Sequence, residues 1–265
     1  MYATRYSKAK NIEEAVSALH AAEDGKLLAG GMTLIPTLKQ RLAAPDCLVD
    51  LSTIGLAGIS EDKGGLIIGA MTTHTEVECA TLIQKQLPTL SLLAGGIGDR
   101  QVRNCGTIGG SIANNDPAAC YPAALLALAA QITTNKRTLA ADDYFTGMFE
   151  TALAEDEIIT EISFPKTHKA SYAKFANPAS RYAMVGVFIA ETDAGGLRVA
   201  ITGAGQDGVF RHSGLEVALA QSFDTAAIDA AAIDDSELMS DIHASADYRA
   251  HLIKEMSKRA LQAIG

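Results

Sequence analysis

The chain has 265 residues, of which 48% are hydrophobic and 20% are charged, a balance that predicts a globular protein with one or two cores. Its formal net charge of −9 argues against nucleic acid or an anionic membrane surface as a partner. No apolar run is long enough to span a bilayer, and the N-terminal "MYATRYSKAKNIEE" lacks the apolar core of a signal peptide. The four cysteines and six histidines follow no metal-ligand spacing, so we predict a cytoplasmic protein with free thiols and no metal site.

Up to Pro165, helix patterns alternate with strand patterns. Asn11 and Glu14 have the spacing of a helix cap, and Gly25 ends the helix that follows. The stretch "THTEVECATLIQKQL" predicts a helix that stops at Pro88, and "PAALLALAA" predicts a buried helix. The other predicted elements are a helix at "TLIPTLKQRL" and short strands at "KLLAG", "CLVDLS", "GLIIGA" and "EIITEISFP".

The composition changes near Pro165. Three strand patterns follow, "SYAKFA", "MVGVFIAET" and "GLRVAITGAG", and they predict an antiparallel meander. Helical patterns begin near Ser213 and at "SADYRAHLIKEMSKRALQAI", while "DTAAIDAAAIDD" predicts a helix or a linker. Strands followed by helices predict a separate α+β domain in this part of the chain.

Two glycine-rich stretches are the strongest candidates for a binding site. They are "LLAGGMTLIP" (27–36) and "NCGTIGGSIANNDPAA" (104–119). Glycine permits positive φ and lacks the Cβ that would block a ligand, and consecutive N–H groups in such turns form a nest for an anion. Two nests can hold the two phosphates of a dinucleotide, with added hydrogen bonds from the hydroxyls of Thr33, Thr107 and Ser111. The alternative is two unrelated tight turns, and the glycine count alone favours it.

A competing motif lies downstream at "GAGQDG" (203–208), which fits the dinucleotide pattern G-x-G-x-x-G. That pattern requires a helix directly after the glycines and a βαβ unit. Here "VFRHSG" intervenes and the preceding strands read as antiparallel, so we predict a turn between the meander and its helix. No G-x-S-x-G motif indicates a nucleophile, and the acidic residues of 142–157 are typical of solvated loops.

Taken in order, the two glycine stretches and their surroundings closely resemble one family. "LLAGGMTLIPTLKQRLAAPDCLVDL", "GDRQVRNCGTIGGSIANNDPAACYPAALLAL", "ADDYFTGMFETALAEDEIITEISFP" and "YAKFANPASRYAMVGV" are similar to the FAD-binding medium subunits of molybdenum hydroxylases, the group of carbon monoxide and xanthine dehydrogenases. The resemblance implies an α+β fold, with a two-part FAD-binding domain of the vanillyl-alcohol oxidase (PCMH) type before a small α+β domain of the carbon monoxide dehydrogenase flavoprotein type. It divides the chain into 1–165, with subdomains at about 1–55 and 56–165, and 166–265.

The resemblance also implies where FAD binds. The first loop would place backbone N–H groups on the pyrophosphate, and the second would face it from the other side, so both would be backbone sites with small side chains. The residues implied are Leu27, Leu28, Ala29, Gly30, Gly31, Met32, Thr33 and Leu34 in the first loop and Thr107, Ile108, Gly109, Gly110 and Ser111 in the second.

Further positions carry over singly. Ile97 matches a residue that packs near the flavin, Ile158 or Ile159 matches an apolar contact to the adenine end, and Tyr182 lies near the ring edge. Lys174 matches a lysine close to the isoalloxazine ring, where a cation stabilises the reduced anionic flavin. From the residues alone, Lys174 reads as an exposed strand lysine and Tyr182 as a half-buried core tyrosine.

Cys120 is a departure from the family. Many relatives carry Asp there, in contact with the ribose or nearby groups, and a thiol is a poor acceptor that does not replace a carboxylate. Asn114, Asn115 and Asp116 are the candidates to compensate, and Asn115 and Cys120 are included in the predicted site.

The implied role is electron transfer. A large subunit would hold a molybdenum cofactor, a small subunit would hold two [2Fe–2S] clusters, and the FAD of this chain would pass electrons to a final acceptor. The resemblance implies that these subunits form a dimer of heterotrimers. No residue of this chain would act as an acid or base. The alternatives are a stand-alone FAD-dependent NAD(P)H reductase or oxidase of the same fold, and a flavin-less assembly scaffold. Substrate and acceptor stay open.

Overall fold

A computed structural model describes residues 1–62 and 65–264. The strands within these ranges are β1 (Arg5–Lys8), β2 (Gly25–Leu28), β3 (Cys47–Asp50), β4 (Ile59–Asp62), β5 (Gly65–Gly69), β6 (Gln131–Thr134), β7 (Thr138–Ala140), β8 (Phe145–Gly147), β9 (Glu150–Thr151), β10 (Ile159–Pro165), β11 (Thr167–Ala176), β12 (Ala183–Thr192), β13 (Gly196–Gly205) and β14 (Gly208–Arg211).

The helices are mostly short. Within the same ranges they are α1 (Ile12–His20), α2 (Leu34–Lys39), α3 (His74–Cys79), α4 (Thr81–Gln86), α5 (Pro88–Gly95), α6 (Arg100–Cys105), α7 (Ile108–Asn114), α8 (Cys120–Ala127), α9 (Ala141–Tyr144), α10 (Ser213–Gln221), α11 (Thr225–Ala230) and α12 (Ala246–Ile264).

The N-terminal sheet is parallel, with strand order β1-β3-β2. All four residues of β3 are buried because it is the central strand, with a neighbour on each side. The predicted cap of α1 is confirmed, since the Asn11 side chain accepts from the Glu14 N–H at 2.8 Å. Ala15 and Leu19 of that helix join the core beside the sheet. The first glycine loop therefore begins at the edge of this sheet, directly after the edge strand β2.

The second sheet is antiparallel, in the order β4-β5-β10-β6-β7, and packs with α3, α4, α5, α7 and α8 in one core. Every residue of α8 is buried, which confirms the predicted buried helix. The predicted single helix before Pro88 is wrong in one respect, because extended backbone at Ala80 (ψ 118°) divides it into α3 and α4. Pro88 then begins α5, where its missing N–H is harmless. Helices α5, α6 and α7 were not expected from the sequence pattern.

The third sheet confirms the predicted meander, in the antiparallel order β11-β12-β13-β14. Its core includes the long helix α12. Gly205 pairs with Gly208 across the hairpin between β13 and β14, so "GAGQDG" forms a turn inside the meander rather than one before its helix. Gly203, with φ +81°, and Gly208, with φ +100°, need backbone that favours glycine. The neighbouring strands are antiparallel, which excludes the dinucleotide reading of this motif.

The sheets change over at Pro165, where β10 of the second sheet ends and β11 of the third follows. Across this change the two sheets stay connected through α8 and the loop before it. The Thr202 hydroxyl donates to the Ala119 carbonyl at 2.6 Å, and Arg198 Nη1 donates to the Leu126 carbonyl at 3.1 Å. The division of the chain into domains 1–165 and 166–265 stays a prediction. Gly265, the last residue of the second predicted domain, lies outside the described residues.

Candidate functional site

A cavity of about 490 Å³ lies where the two glycine loops meet the third sheet. Ligand sites for molecules of cofactor size have volumes of this order. The cavity brings together 17 of the 20 residues predicted for the site, from positions far apart in the chain. They are Leu27, Ala29, Gly30, Gly31, Met32, Thr33, Leu34, Ile97, Thr107, Gly109, Gly110, Ser111, Cys120, Ile158, Ile159, Lys174 and Tyr182.

Three predicted residues are not among those that line the cavity. Leu28 ends β2 and pairs with Asp50 in the sheet. Ile108 is fully buried in the core. Asn115 caps α7 in left-handed backbone, and its amide donates to the carbonyls of Gly147 and Glu150, each at 2.8 Å. The geometry gives these three residues structural roles beside the site.

The first glycine loop leaves its backbone N–H groups free. It joins β2 to α2, and Gly31 takes positive φ (+69°) within it. Over residues 1–62 and 65–264, the N–H groups of 29–34 have no protein acceptor, whereas the next one, of Ile35, donates to the Gly31 carbonyl. All six of these residues line the cavity. Consecutive unpaired N–H groups in a concave turn are a site for an anion.

The second glycine loop uses its N–H groups inside the protein. Those of Ile108 and Gly109 donate to the carbonyls of Thr72 and Ala70, at 3.0 and 2.9 Å. The Gly110 N–H donates to Thr107 Oγ1 at 3.1 Å, and that of Ser111 to the Thr107 carbonyl at 3.0 Å. The prediction of a second backbone site is therefore wrong for these four groups. The hydroxyl of Ser111 has no protein partner in the described ranges and lines the cavity, so it is the group that this loop offers.

The need for glycine also has a different cause from the predicted one. A Cβ on Gly30 would lie 2.0 Å from the Cys105 carbonyl oxygen and 2.8 Å from Gly106 Cα. A Cβ on Gly109 would lie 2.6 Å from the Ala70 carbonyl oxygen. Bare backbone at these positions lets protein segments touch one another, and so brings the first loop against the second. Gly110 is the more open position, since a Cβ there would meet Thr107 Oγ1 at 2.9 Å.

At the other end of the cavity, Lys174 is anchored rather than freely exposed. Its Nζ donates to the carbonyls of Gly96 at 2.8 Å and Arg181 at 3.2 Å, and it lies 3.6 Å from Cys120 Sγ. Tyr182 lies at the rim with 48% of its surface exposed, where its contribution to the core is small. A fixed ammonium at the wall favours an anionic ligand group at this end.

Asp116 is the candidate to replace the aspartate that many relatives carry at position 120. It lines the cavity together with Asn114, and its Oδ1 accepts from the Ala118 N–H at 2.8 Å. Burial raises the pKa of Asp116. Burial, followed by the charge of Asp116, raises the pKa of Tyr182. Of the three compensating candidates, Asn114 and Asp116 reach the cavity and Asn115 does not.

The segment before β10 closes the cavity near Ile158 and Ile159. Glu157 holds this segment in place: it is 3% exposed, and its carboxylate accepts from Arg137 Nε and from the Thr134 hydroxyl. Arg137 is the largest cause that lowers the pKa of Glu157 to about 2. The Ile158 N–H in turn donates to Asn135 Oδ1 at 2.8 Å. An ion pair between the buried Glu157 and the half-exposed Arg137 thus fixes an apolar wall.

His74 is a lining residue that the sequence pattern did not indicate. It begins α3, its N–H donates to the Gly106 carbonyl at 2.9 Å, and it is 5% exposed. Burial lowers the pKa of His74 to about 4, and the charge of Arg103 adds to this effect. The signal available in the sequence was "TTHTE", in which the cap formed by Thr73 and Glu76 places His74 at the start of the helix.

Taken together, the cavity fits a large dinucleotide. The free N–H groups of the first loop suit a diphosphate, apolar side chains suit ring systems, and the ammonium of Lys174 suits an electron-rich ring. These features define a protein that binds a nucleotide cofactor of the FAD type.

The comparisons agree with that class. Residues 2–167 match the family described as "FAD binding domain in molybdopterin dehydrogenase". The chain is similar to the nicotine 6-hydroxylase medium subunit of Paenarthrobacter nicotinovorans, 34% identical over 99% of this chain and 98% of that protein. It is 35% identical to the carbon monoxide dehydrogenase medium chain of Hydrogenophaga pseudoflava, over 97% of this chain and 96% of that one.

The chain therefore belongs to the family of FAD-binding domains of molybdopterin dehydrogenases. The solved structure of reconstituted CO dehydrogenase from Oligotropha carboxidovorans matches with a TM-score of 0.92 and 32% identity, over 99% of this chain and 97% of that chain. This match confirms the predicted fold, a two-part FAD-binding domain followed by an α+β domain. Among the residues described, no helix has both the length and the apolar character needed to span a membrane.

Proposed function

We propose that this chain is the FAD-binding medium subunit of a molybdenum hydroxylase. In this role it receives electrons from a [2Fe–2S] subunit and passes them through FAD to a final acceptor. The single observation that carries the proposal is the row of unpaired N–H groups at 29–34, whose residues line a cavity of dinucleotide size in a chain of this family.

Bound FAD would supply the redox chemistry, and the chain would hold and orient it. The first loop would bind the diphosphate through its N–H groups, with the hydroxyls of Thr33 and Ser111 beside it. Lys174, anchored by two carbonyls, would stabilise negative charge on the isoalloxazine ring. Ile158 and Ile159 would pack against the adenine end, and Tyr182 at the rim against the ring edge. No residue of this chain needs to transfer a proton to the substrate.

The names of the relatives extend the proposal to partners. They are named a medium subunit and medium chains, which implies a large and a small subunit beside this one. We place a molybdenum cofactor on the large subunit and [2Fe–2S] clusters on the small one, in a dimer of heterotrimers. A cytoplasmic location is part of the same proposal, supported by four cysteines that are all free thiols.

The test is an absorbance spectrum of the purified chain, before and after addition of FAD, with mass analysis of the released flavin. A flavin spectrum with about one FAD per chain supports the proposal. A chain that stays colourless in excess FAD contradicts it and favours an assembly scaffold. Reduction of the bound flavin by NADH or NADPH in the isolated chain, at rates typical of turnover, would instead favour a stand-alone reductase.

A further inference from the structure

His74 is the buried polar side chain of the cavity wall that lacks partners. Its Nδ1 has no hydrogen-bond partner anywhere in residues 1–62 and 65–264. No bond is found for Nε2 over the same ranges either, and the residue lines the cavity. The Tyr121 ring is 5.3 Å away between centroids, and its hydroxyl is likewise buried without a partner in these ranges. Nδ1 is sealed from solvent whereas Nε2 is not, so a ligand in the cavity can complete the hydrogen bonding of this ring at Nε2.

The place of His74 identifies which part of a ligand it can reach. A Cβ on Gly106 would lie 2.6 Å from His74 Nε2, so this nitrogen lies against Gly106. Gly106 in turn lies against Gly30, where a Cβ would be 2.8 Å from Gly106 Cα. Nε2 is therefore beside the junction of the two glycine loops, at the end of the cavity where the free N–H groups of the first loop are.

The chemistry of the ring fits a donor rather than a cation. Burial and the nearby charge of Arg103 keep His74 neutral at ordinary pH. A neutral imidazole carries one N–H and one lone pair. A buried N–H without a partner is rarer than an unfilled acceptor, so the hydrogen belongs on the nitrogen beside the open junction, Nε2, with the lone pair on Nδ1.

We propose that His74 is a positioning residue for the diphosphate of the bound dinucleotide, with Nε2–H donating to a phosphate oxygen alongside the N–H groups of 29–34. This inference rests on the proposed function, because it requires the cavity to hold FAD. It adds one side-chain donor to a site that is otherwise built from backbone. The second loop then contributes to the anion site indirectly, by holding His74 against Gly106.

The experiment is calorimetric titration of the flavin-free chain with FAD, with ADP and with riboflavin. ADP carries the diphosphate without the flavin, and riboflavin carries the flavin without phosphate. His74→Leu should weaken the binding of FAD and of ADP by the same factor, about 10- to 100-fold, as expected for a lost hydrogen bond to a charged group. Riboflavin binding should not change.

Two further variants distinguish a hydrogen bond from the place of Nε2 from a simple packing role of the His74 side chain. In His74→Gln the amide NH₂ can reach the place of Nε2, so ADP affinity should return to within about fivefold of the unaltered chain. In His74→Asn the amide reaches only the place of Nδ1, so affinity should stay low. Tyr121→Phe removes the neighbouring hydroxyl, which does not line the cavity, and should bind FAD and ADP normally. The Gln and Asn comparison decides the matter even if His74→Leu does not fold.

The outcomes distinguish this inference from the proposed function. If the unaltered chain does not bind FAD, the proposed function fails. If it binds FAD but His74→Leu and His74→Asn bind ADP as the unaltered chain does, only the role of His74 is overturned. A loss confined to riboflavin also overturns it, because His74 would then act at the flavin end.

Discussion

The two glycine loops each combine two adjacent glycines with a hydroxyl side chain, and they use their backbones in opposite ways. In the first, the N–H groups of 29–34 have no acceptor within the described part of the chain, and these residues line the cavity. In the second, the four N–H groups of 108–111 donate to protein oxygens. Small residues at both places permit close approach, but only the hydrogen-bond pattern tells which loop approaches a ligand and which approaches the protein.

This difference gives the two loops separate roles in the site. The second loop docks on Ala70 and Thr72 and is a rigid support. The first loop rests through Gly30 against Cys105 and Gly106, directly before the second loop, and its own N–H groups stay unpaired within the described residues. A nest that is held from behind is pre-organised, which reduces the entropy lost when a ligand orders it. Substitutions that disturb the contact between the loops, or the bonds within each loop, test this difference.

The largest effect is expected for Gly30→Ala. The new Cβ would lie 2.0 Å from the Cys105 carbonyl oxygen, a distance that requires main chain to move on one side or the other. We expect the purified variant to contain no FAD and to lose about 3 kcal/mol in its free energy of unfolding, the upper end of the usual cost of overpacking. Flavin content and urea denaturation measure the two effects.

Gly110→Ala is the matched control. Its Cβ would meet Thr107 Oγ1 at 2.9 Å and Ala29 Cβ at 3.4 Å, and alanine favours the helix in which it lies by about 1 kcal/mol. We expect stability close to that of the unaltered chain, with weaker FAD binding. Equal destabilisation by Gly30→Ala and Gly110→Ala would show that the close contact at Gly30 does not determine stability.

The next effect concerns the buried imidazole of His74. Burial lowers the pKa of His74 from 6.5 to about 4, so the unfolded chain binds a proton more readily than the folded one. Stability contributed by the neutral ring is fully present above pH 6.5 and declines as the pH falls towards 4. Between pH 6.5 and 5 we expect a loss of about 2 kcal/mol. Urea denaturation of the flavin-free chain at each pH measures it.

His74→Gln does not titrate in this range and serves as the control. Its stability should change less between pH 6.5 and 5 by roughly the same 2 kcal/mol. If both proteins have the same pH profile, carboxylates rather than His74 cause the decline.

A matched pair of threonines gives the sharpest test of the opposite use of N–H groups. Thr107 Oγ1 accepts from the Gly110 N–H, whereas the Thr33 side chain makes no cap bond at the start of α2. Thr107→Val should cost the flavin-free chain about 1 kcal/mol of stability. Thr33→Val should leave that stability unchanged and should weaken FAD binding. Denaturation without flavin and titration with FAD together separate the two, and a reversed pattern would exchange the roles of the loops.

Much of the fold could be predicted because it follows from local pattern. The apolar run of α8 and the alternation of β11 to β13 each produce one kind of element, and both predictions are confirmed. The break at Ala80 and the start of α5 at Pro88 were missed because helical periodicity continues across Ala80, while a proline begins a helix as readily as it ends one.

The site was harder to predict because its contacts join distant parts of the chain. The sequence shows that position 30 has no side chain, but not that the Cys105 carbonyl lies against it. It offers Lys174, but not the carbonyls of Gly96 and Arg181 that anchor it. His74 read as one scattered histidine, because the absence of a partner is a property of its surroundings. The two loops stand out by their resemblance to a family, but their different roles depend on which N–H groups have acceptors in the folded chain.

The smallest effect is expected for Ser111→Ala, and it tests what remains open to a ligand in the second loop. The Ser111 N–H is occupied by the Thr107 carbonyl, while its hydroxyl has no protein partner in the described ranges and lines the cavity. Removing the hydroxyl should leave the stability of the flavin-free chain unchanged, because no bond within the protein is lost. FAD binding should weaken by about 1 kcal/mol, or roughly fivefold, the cost of one hydrogen bond. Titration of the flavin-free variant with FAD measures this. An unchanged dissociation constant would mean that the second loop contributes no direct contact, and that its whole function is to support the first loop and His74.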